Sequence, residues 1–260
     1  MFLSVIVPAY RQEKTIVADL NNINQALTRF VDDYEILVVV DGHVDRTHEV
    51  LAAANLPRVR VYSYENNKGK GYALRYGAAR ATGQLVAFLD AGMEINPNGL
   101  SMLLEHLNWY EADVIIGSKR HPASKVNYPF QRRLFSFGYQ FIVWLLFGLK
   151  VRDTQTGIKL FRREVLEKVL PRLLIKRYAI DVEILAVANY LGFRRIFEAP
   201  VEVTYRFDDL THASSWRPIW RMLLDTLAVF YRLRIRRFYD DRNERKWVYD
   251  RDLEMKVNTG

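Results

Sequence analysis

The first hundred residues alternate between two hydrophobic periods, and this alternation constrains the fold more than any other feature of the chain. Near-continuous runs of Val, Ile and Leu, as in residues 2–9, are typical of strands buried on both faces. Between these runs apolar residues recur at helical spacing, as at Ile16, Leu20, Ile23 and Leu27. Strands that alternate with helices predict an α/β fold, in which a mostly parallel sheet carries helices on both faces.

Several residues with chemical potential follow the predicted strands directly. Pro8 and Tyr10 close the first strand, Asp41 closes the second before Gly42, and Asp90 closes the fourth. Because parallel α/β sheets bind ligands beyond the carboxyl ends of their strands, we expect these residues to share one edge of the sheet. Two interpretations of Asp41 remain open. Its carboxylate either accepts a hydrogen bond from an N–H group of a bound base or caps the following turn.

Charge and cysteine content narrow the class of partner. The chain has 260 residues, no cysteine and a net charge of +8. The lack of cysteine excludes disulfides and is typical of a reducing compartment, while the positive charge suits nucleic acid, acidic lipid or a phosphorylated substrate. The longest apolar run, residues 141–149, is half of the roughly 18 residues that a membrane-spanning helix needs. Residues 2–9 have the pattern of a buried strand, so we expect no signal peptide.

A stretch rich in glycine and lysine, NKGKG at residues 67–71, precedes the third predicted helix. Backbone N–H groups at a helix start attract phosphate, and Lys70 adds a positive charge. The spacing does not match the G-x-x-x-x-G-K-[ST] loop of P-loop nucleotide-binding proteins. A tight connection between a strand and a helix explains the same residues, so both interpretations stay open.

An ordered set of motifs resembles one enzyme family. The segments are SVIVPAY, VVVDGHVDRT, NKGKGYALRYGAARATG, FLDAG, GSKR, DTQTGIKLFRREV and DVEIL. In this order they resemble family 2 glycosyltransferases, and the later segments are most similar to polyprenyl-phosphate sugar transferases such as the dolichyl-phosphate glucosyl- and mannosyltransferases. The similarity covers residues 3–205. It implies a GT-A fold with a Rossmann-like sheet, a nucleotide-sugar donor and inversion at the anomeric carbon.

The chain is expected to divide near residue 212. We predict a GT-A domain in residues 1–212, and a basic amphipathic helix with a mobile charged tail in residues 213–260. The predicted helix begins at Trp216 and contains apolar residues at helical spacing together with several arginines.

The resemblance assigns a set of donor-binding positions. These are Pro8, Tyr10, Glu13, Asp41, Lys70, Asp90 and Lys119. Tyr10 has a ring that can stack on the base. The chain departs from the family pattern at Val40, where an acid is usual, at Arg11 and Gln12, where Asn and Glu are usual, and at Lys119, where Arg is usual.

The acceptor side rests on residues from two predicted helices. Arg132 and Ser136 lie one turn apart and resemble positions that contact the acceptor phosphate, a task that suits the bidentate fork of Arg. A solvated helix face is the alternative for both. The resemblance places Asp181 nearest the reacting centre as a catalytic residue, together with Asp90. The alternative for Asp181 is a charge that only stabilises a helix N-terminus. We expect Glu183, two residues further on, to have a structural or supporting role.

The metal site implied by the resemblance is incomplete. Asp90 resembles the first acid of the family's D-x-D motif, and Gly92 stands in place of the second. Gln155 resembles a position that helps to hold the metal, and Glu94 is a candidate substitute for the missing acid. We therefore expect Mg²⁺ or Mn²⁺ to be held by Asp90, Gln155 and Glu94, with diphosphate and water as further ligands.

Two alternatives to this metal site stay open. In the first, Lys119, Arg120 or Arg206 neutralises the diphosphate without a metal. In the second, Glu94 is only a solvated loop acid.

The function implied is transfer of a hexose from UDP-glucose or GDP-mannose to a polyprenyl phosphate at the membrane surface. A phosphate monoester is largely dianionic at pH 7, so its oxygen needs no strong general base. Asp181 would orient the acceptor and stabilise an oxocarbenium-like centre.

Residues 137–149 and the helix from Trp216 are candidates for attachment to an anionic bilayer, which predicts a cytoplasmic protein peripheral on the inner face of the membrane. Core packing or a homodimer contact explains the same apolar residues.

Three other functions compete with this one. A transferase that acts on a sugar hydroxyl would need Asp181 as a true base. A nucleotide-sugar binder with impaired catalysis is suggested by Gly92. A nucleic-acid-binding module would use the arginines of residues 231–237, but the sequence contains no zinc-finger or RNP-like pattern, and we expect no nucleic-acid partner.

Overall fold

The structure, a computed structural model, describes residues 2–126, 130–177, 179–203, 216–240 and 247–259, with the backbone alone described in 130–136 and 216–219. The strands are β1 Phe2–Ala9, β2 Asp33–Asp41, β3 Val59–Tyr64, β4 Leu85–Leu89, β5 Val114–Ser118, β6 Lys125–Val126, β7 Ile158–Arg162, β8 Ile196–Pro200, β9 Glu202–Val203, β10 Trp247–Asp250 and β11 Met255–Asn258. The helices are α1 Ile16–Leu27, α2 Thr47–Ala54, α3 Lys70–Arg80, α4 Gly99–Trp109, α5 Phe130–Phe147, α6 Arg163–Val169, α7 Ile180–Tyr190 and α8 Trp216–Phe230.

A seven-stranded sheet with the order β3-β2-β1-β4-β7-β5-β8 forms the centre of the fold. β1 pairs in parallel with β2 and β4, and β2 with β3. β7 runs antiparallel between β4 and β5, whereas β5 and β8 are parallel. The predicted mostly parallel α/β sheet is therefore confirmed, and the hydrophobic pattern did not indicate that β7 would run in the reverse direction.

Helices cover both faces of this sheet because successive strand residues point to opposite sides. On β1, Ile6 packs in a core that contains side chains of α3, α6 and α7, whereas Val5 and Val7 pack in a second core with α1 and α4. The nearly uniform Val/Ile/Leu composition of β1 and β2 follows from this burial on both faces. The prediction of helices on both faces is confirmed.

The C-terminal region shares the first of these cores. Val229 of α8, Leu233 and Tyr239 are buried among residues of α6 and α7. The chain continues past α8 as a short π-helical segment, Tyr231–Ile235. The boundary predicted near residue 212 lies outside the described residues, and the described chain on its C-terminal side packs into the same core as the sheet.

Residues 247–259 of the predicted charged tail form regular structure that the sequence analysis did not predict. Strands β10 and β11 form an antiparallel hairpin. Arg80 of α3 donates to the Asp252 carbonyl at 2.9 Å and to Glu254 Oε1 at 2.8 Å. Leu253 at its turn is buried. Alternation within two four-residue strands is too short a signal to stand out from the surrounding charges. Arg80 of α3 gives the hairpin a cationic partner.

Within the described ranges, no helix combines the length and the apolarity that crossing a bilayer requires.

Candidate active site

Four charged side chains from four elements meet at the carboxyl edge of the sheet. Lys70 Nζ, at the start of α3, lies 2.8 Å from Asp90 Oδ2, which directly follows β4. The same ammonium group lies 3.9 Å from Asp181 Oδ2 in the first turn of α7. Lys159 Nζ, from β7, lies 2.5 Å from Asp181 Oδ1. The structure thus brings together both predicted catalytic acids and the predicted donor-binding Lys70.

The two halves of this cluster differ in exposure. The side chains of Lys159 and Asp181 are 1% and 5% exposed, while those of Lys70 and Asp90 are 20% and 41% exposed. A buried ion pair retains a defined geometry because moving either charge leaves the other unpaired in a medium of low polarity. Lys159 therefore holds Asp181 in place, and Lys70 and Asp90 form the part of the cluster that a ligand can reach.

The antiparallel pairing of β4 with β7 explains the position of Asp90. Leu89 is opposite Ile158, so Asp90 meets Gly157 at the edge of the sheet. The Asp90 N–H group donates to the Gly157 carbonyl at 3.0 Å. A Cβ atom at Gly157 would lie 2.2 Å from Asp90 Oδ2, so any larger residue here would force the Asp90 side chain to move. The sequence analysis did not predict that Gly157 would position Asp90.

Lys159 is not among the predicted site residues. A lysine in the centre of the apolar strand Ile158–Arg162 was the available signal. A buried ammonium group requires a counter-charge, so its position predicts an acidic partner.

Asp41 organises the turn before α3. Its buried carboxylate accepts hydrogen bonds from Tyr64 Oη at 2.9 Å and from Asn67 Nδ2 at 2.9 Å. It also accepts from the backbone N–H groups of Lys68 at 2.8 Å and of Gly69 at 3.0 and 3.1 Å. These are the contacts of a turn cap, one of the two interpretations of Asp41. Recognition of a base by the same carboxylate stays a prediction.

The start of α3 is held from the other side by the segment before α7. The Lys176 carbonyl accepts the N–H groups of Gly71 at 2.9 Å and Tyr72 at 3.3 Å. A Cβ atom at Gly69 would lie 2.4 Å from the same carbonyl oxygen. Together with the Asp41 contacts, this occupies the backbone donors of residues 68, 69, 71 and 72. These hydrogen bonds support the tight connection between strand and helix, and phosphate binding by the amides of this turn stays a prediction. The turn projects the Lys70 ammonium group toward Asp90.

A cavity of about 470 Å³ lies beyond β1 and is lined by residues 11–15 and Asp45. Tyr10, predicted to stack on the base, is 43% exposed, with the Arg11 guanidinium 5.3 Å from its ring centroid. Glu13 Oε2 accepts the N–H group of Arg46 at 3.1 Å, which links the loop after β1 to the start of α2. The cavity volume is in the usual range for a small-ligand site. The donor roles of Pro8, Tyr10 and Glu13 stay predictions.

The structure describes Lys119 and Arg120 among the other predicted cations. The Lys119 N–H group donates to Asp153 Oδ2 at 3.1 Å. Arg120 Nη1 donates to the Arg152 carbonyl at 2.8 Å, and its guanidinium lies 3.8 Å from the centroid of the Phe137 ring. Arg206 and the side chains of Arg132 and Ser136 lie outside the described residues.

The predicted metal ligands are only partly supported by the geometry. Gln155 lies two residues before Gly157, and its buried Nε2 has no hydrogen-bond partner. Because amide oxygen and nitrogen are interchanged by a half-turn, Gln155 can present an oxygen instead. Glu94 is exposed, and the described ranges contain no group of three or more His, Cys, Asp or Glu residues arranged for a metal. Asp90 and Gln155 remain the donors compatible with a metal, and their role as ligands stays a prediction.

The family model described as Glycosyl transferase family 2 matches residues 4–170. The chain belongs to glycosyl transferase family 2. This glycosyltransferase is 33% identical over 240 residues to a dolichyl-phosphate beta-glucosyltransferase of Drosophila melanogaster. The aligned region is 85% of this chain and 71% of that relative. It is 30% identical over 250 residues to the Homo sapiens dolichyl-phosphate beta-glucosyltransferase, at 89% and 75% coverage.

Solved structures share the fold of this glycosyltransferase. Mannosyl-3-phosphoglycerate synthase from Rubrobacter xylanophilus aligns with a TM-score of 0.68 at 17% identity, covering 99% of this chain and 86% of that one. A UDP complex of glucosyl-3-phosphoglycerate synthase from Mycobacterium tuberculosis aligns with a TM-score of 0.64 at 18% identity, at 96% and 84% coverage. Structures of the mycobacterial enzyme also exist with Mn²⁺ and with Mg²⁺. At these identities the comparison establishes the fold, which is GT-A.

Proposed function

We propose that this enzyme transfers glucose from UDP-glucose to a polyprenyl phosphate. The observation that carries the proposal is the placement of the Lys70 ammonium between Asp90 and Asp181 at the ligand-binding edge of the sheet. The choice of sugar and acceptor is supported by the relatives named dolichyl-phosphate beta-glucosyltransferase, at 33% and 30% identity. GDP-mannose as donor is the alternative that the experiment below separates.

The reaction joins a phosphate oxygen of the acceptor to the anomeric carbon. The bond between that carbon and the oxygen of the nucleoside diphosphate breaks, and its electron pair leaves with the diphosphate. Attack from the opposite side converts an α-linked donor into a β-linked product, which agrees with the word beta in the relatives' names. A dianionic phosphate carries no proton that must be removed, so the reaction needs charge stabilisation more than general-base catalysis.

Each charged residue of the cluster has a role in this scheme. Lys70 neutralises the charge that develops on the departing diphosphate, and Asp90 keeps the ammonium group directed at the ligand. Asp181, held by Lys159, stabilises positive charge at the anomeric carbon and orients the acceptor. Both oxygens of Asp181 face ammonium groups, which favours this electrostatic role over proton abstraction and hence a phosphate acceptor over a hydroxyl.

A divalent ion, Mg²⁺ or Mn²⁺, is part of the proposal as a cofactor held by Asp90 and Gln155. When bound, such an ion adds positive charge at the diphosphate. The occurrence of Mn²⁺ and Mg²⁺ in solved relatives and the partnerless amide of Gln155 support it. Glu94 as a third ligand stays a prediction without a contact that supports it.

A membrane-facing surface is the second part of the proposal. One face of α5 exposes large apolar side chains, and so does one face of α8 with the turn after it. They are Phe137, Phe141, Trp144 and Leu145 on α5, and Trp220, Leu224, Leu227, Tyr231 and Ile235 on α8 and its continuation. Tyr139 Oη and Thr226 Oγ1 lie 2.9 Å apart, which joins the two helices. We call these nine side chains the apolar surface.

The charge around the apolar surface favours anionic lipid as its occupant. Arg221, Arg234, Arg236 and Arg237 are exposed on α8 or directly after it. Basic residues next to an anionic bilayer contribute about 1 kcal/mol each. We therefore place the enzyme on the cytoplasmic face of a membrane, where a polyprenyl phosphate presents its head group. A homodimer through the same surface is the competing occupant.

The test of the proposed reaction is a transfer assay with a matrix of substrates. UDP-glucose and GDP-mannose are each offered with a short-chain prenyl phosphate, the corresponding prenol, or free glucose. We expect product only from UDP-glucose with the prenyl phosphate, and loss of that product in Lys70→Met. Product from the prenol or from glucose would contradict the phosphate acceptor, and product only from GDP-mannose would contradict the donor.

A further inference from the structure

We propose that Glu183 and Tyr239 are positioning residues that connect the C-terminal segment to the turn carrying Lys70. This inference rests on the proposed function, because Lys70 acts there on the donor diphosphate. No described contact links Glu183 or Tyr239 directly to the charged cluster. Their effect would pass through the backbone of residues 174–176, which we call the bridging segment.

The first step of the connection is the Glu183 carboxylate. Glu183 follows Asp181 by two residues on α7 and is completely buried. Its oxygens accept the N–H group of Leu174 at 3.1 Å and that of Ile175 at 2.9 Å. The carboxylate therefore fixes the backbone of the bridging segment from inside the core.

The second step runs from the bridging segment to α3. The Lys176 carbonyl accepts the N–H groups of Gly71 and Tyr72. A Cβ atom at Gly71 would lie 2.9 Å from the Ile175 carbonyl oxygen, so the two backbones are in direct contact. A shift of the bridging segment would consequently displace the first turn of α3 and the Lys70 side chain with it.

The third step brings in the C-terminal chain. Tyr239 Oη donates to Glu183 Oε1 at 2.6 Å, and the Tyr239 side chain is completely buried. Burial raises the pKa of Glu183, and the hydrogen bonds from Tyr239, Ile175 and Leu174 and the charge of Arg232 act in the opposite direction. Burying a carboxylate costs free energy, and a contact with a purely structural role at this place could be apolar. A carboxylate, unlike an apolar side chain, can bind backbone donors and a hydroxyl at once.

The test is a double-mutant cycle between Tyr239→Phe and Lys70→Met, with donor affinity measured by calorimetric titration of UDP-glucose. We expect Tyr239→Phe to weaken donor binding about tenfold, the equivalent of one lost hydrogen bond. In the Lys70→Met background the same change should have little further effect, because the group being positioned is absent. Tyr34→Phe is the matched control, since Tyr34 is also buried and donates to Asn24 Oδ1 on the opposite face of the sheet.

The outcomes separate a positioning role from a stabilising one. Tyr239→Phe and Tyr34→Phe should lower the melting temperature by similar amounts, while only Tyr239→Phe changes donor affinity. Equal losses of affinity in the wild-type and Lys70→Met backgrounds would overturn the inference while leaving the proposed function intact. Wild-type protein that binds no nucleotide sugar would instead overturn the proposed function, and the inference with it. The same cycle with Glu183→Gln in place of Tyr239→Phe should give the same pattern of donor affinities.

Discussion

Lys159 Nζ lies 2.5 Å from Asp181 Oδ1, and both side chains are buried at the edge of the sheet. Lys159 also donates to the Thr156 carbonyl. The pair ties α7 to β7 and determines which way the Asp181 carboxylate points. Its consequences for stability and for catalysis can be measured separately.

Asp181→Asn should lose most transfer, by about a hundredfold or more, because it removes the charge that stabilises the reacting centre. It should also destabilise the protein by about 3–5 kcal/mol, since Lys159 is left buried without a counter-charge. The double variant Asp181→Asn with Lys159→Met removes both charges and should recover most of that stability. Denaturant unfolding and transfer assays check both. Recovery of transfer in the double variant would contradict a role for Asp181 in the chemistry.

Lys70→Met should weaken UDP-glucose binding in the absence of metal and increase the tightening produced by Mn²⁺. The ammonium group lies 2.8 Å from Asp90 Oδ2, so its removal leaves that oxygen available to a cation. Titrations with and without Mn²⁺ measure both effects. Asp90→Asn is the control and should abolish the Mn²⁺ response. The same Mn²⁺ response in wild type and Lys70→Met would show that the ammonium and the metal do not compete.

Gly157→Ala should reduce transfer strongly, because its Cβ atom would displace the Asp90 carboxylate. Gly138→Ala is a matched control, since a Cβ atom at Gly138 of α5 meets nothing within 4 Å. Alanine in a helix is favoured over glycine by roughly 0.5–1 kcal/mol, so this control should be stabilised and active. Near-normal transfer by Gly157→Ala would mean that the position of Asp90 is unimportant.

Exchange of Trp220 and Leu227 for serine should abolish flotation with anionic vesicles, because it removes two large side chains of the apolar surface. Donor binding should be unchanged. The control is Trp109→Ser on α4, where the tryptophan is 80% exposed but lies on the other side of the sheet. Size-exclusion chromatography of the same variants tests the alternative, since a change from dimer to monomer with flotation retained would identify a subunit interface.

The unfolding free energy should fall in acid partly through Glu35. Burial alone would raise the pKa of Glu35, but hydrogen bonds from Thr82 and Ser4 and the charge of Arg60 together lower it below its ordinary value of 4.5. A carboxyl whose folded pKa is depressed stabilises the protein above its unfolded pKa, and this contribution is lost as pH falls through the folded pKa. Glu35→Gln should therefore show a shallower loss of unfolding free energy below about pH 4.5. Parallel curves for the two proteins would contradict this.

The sequence by itself determined that the first four strands are buried and parallel, and it placed several candidate ligand-binding residues at their carboxyl ends. Hydrophobic period is a local property, so burial on both faces of β1 and β2 could be recognised from Val, Ile and Leu alone. The same periodicity placed Asp41 and Asp90 at strand ends. The ordered motifs added the family, and with it Asp90 and Asp181 as predicted catalytic residues.

Only the tertiary structure decided how these residues are used. The direction of β7, the burial of Lys159 against Asp181 and the docking of residues 247–259 on α3 depend on contacts between distant parts of the chain. The four backbone amides around Lys70 looked available for phosphate in the sequence, yet Asp41 and the Lys176 carbonyl occupy them. The sequence does not reveal which distant acceptor a hydrogen-bond donor will bind, because the packing of the whole core brings the two groups together.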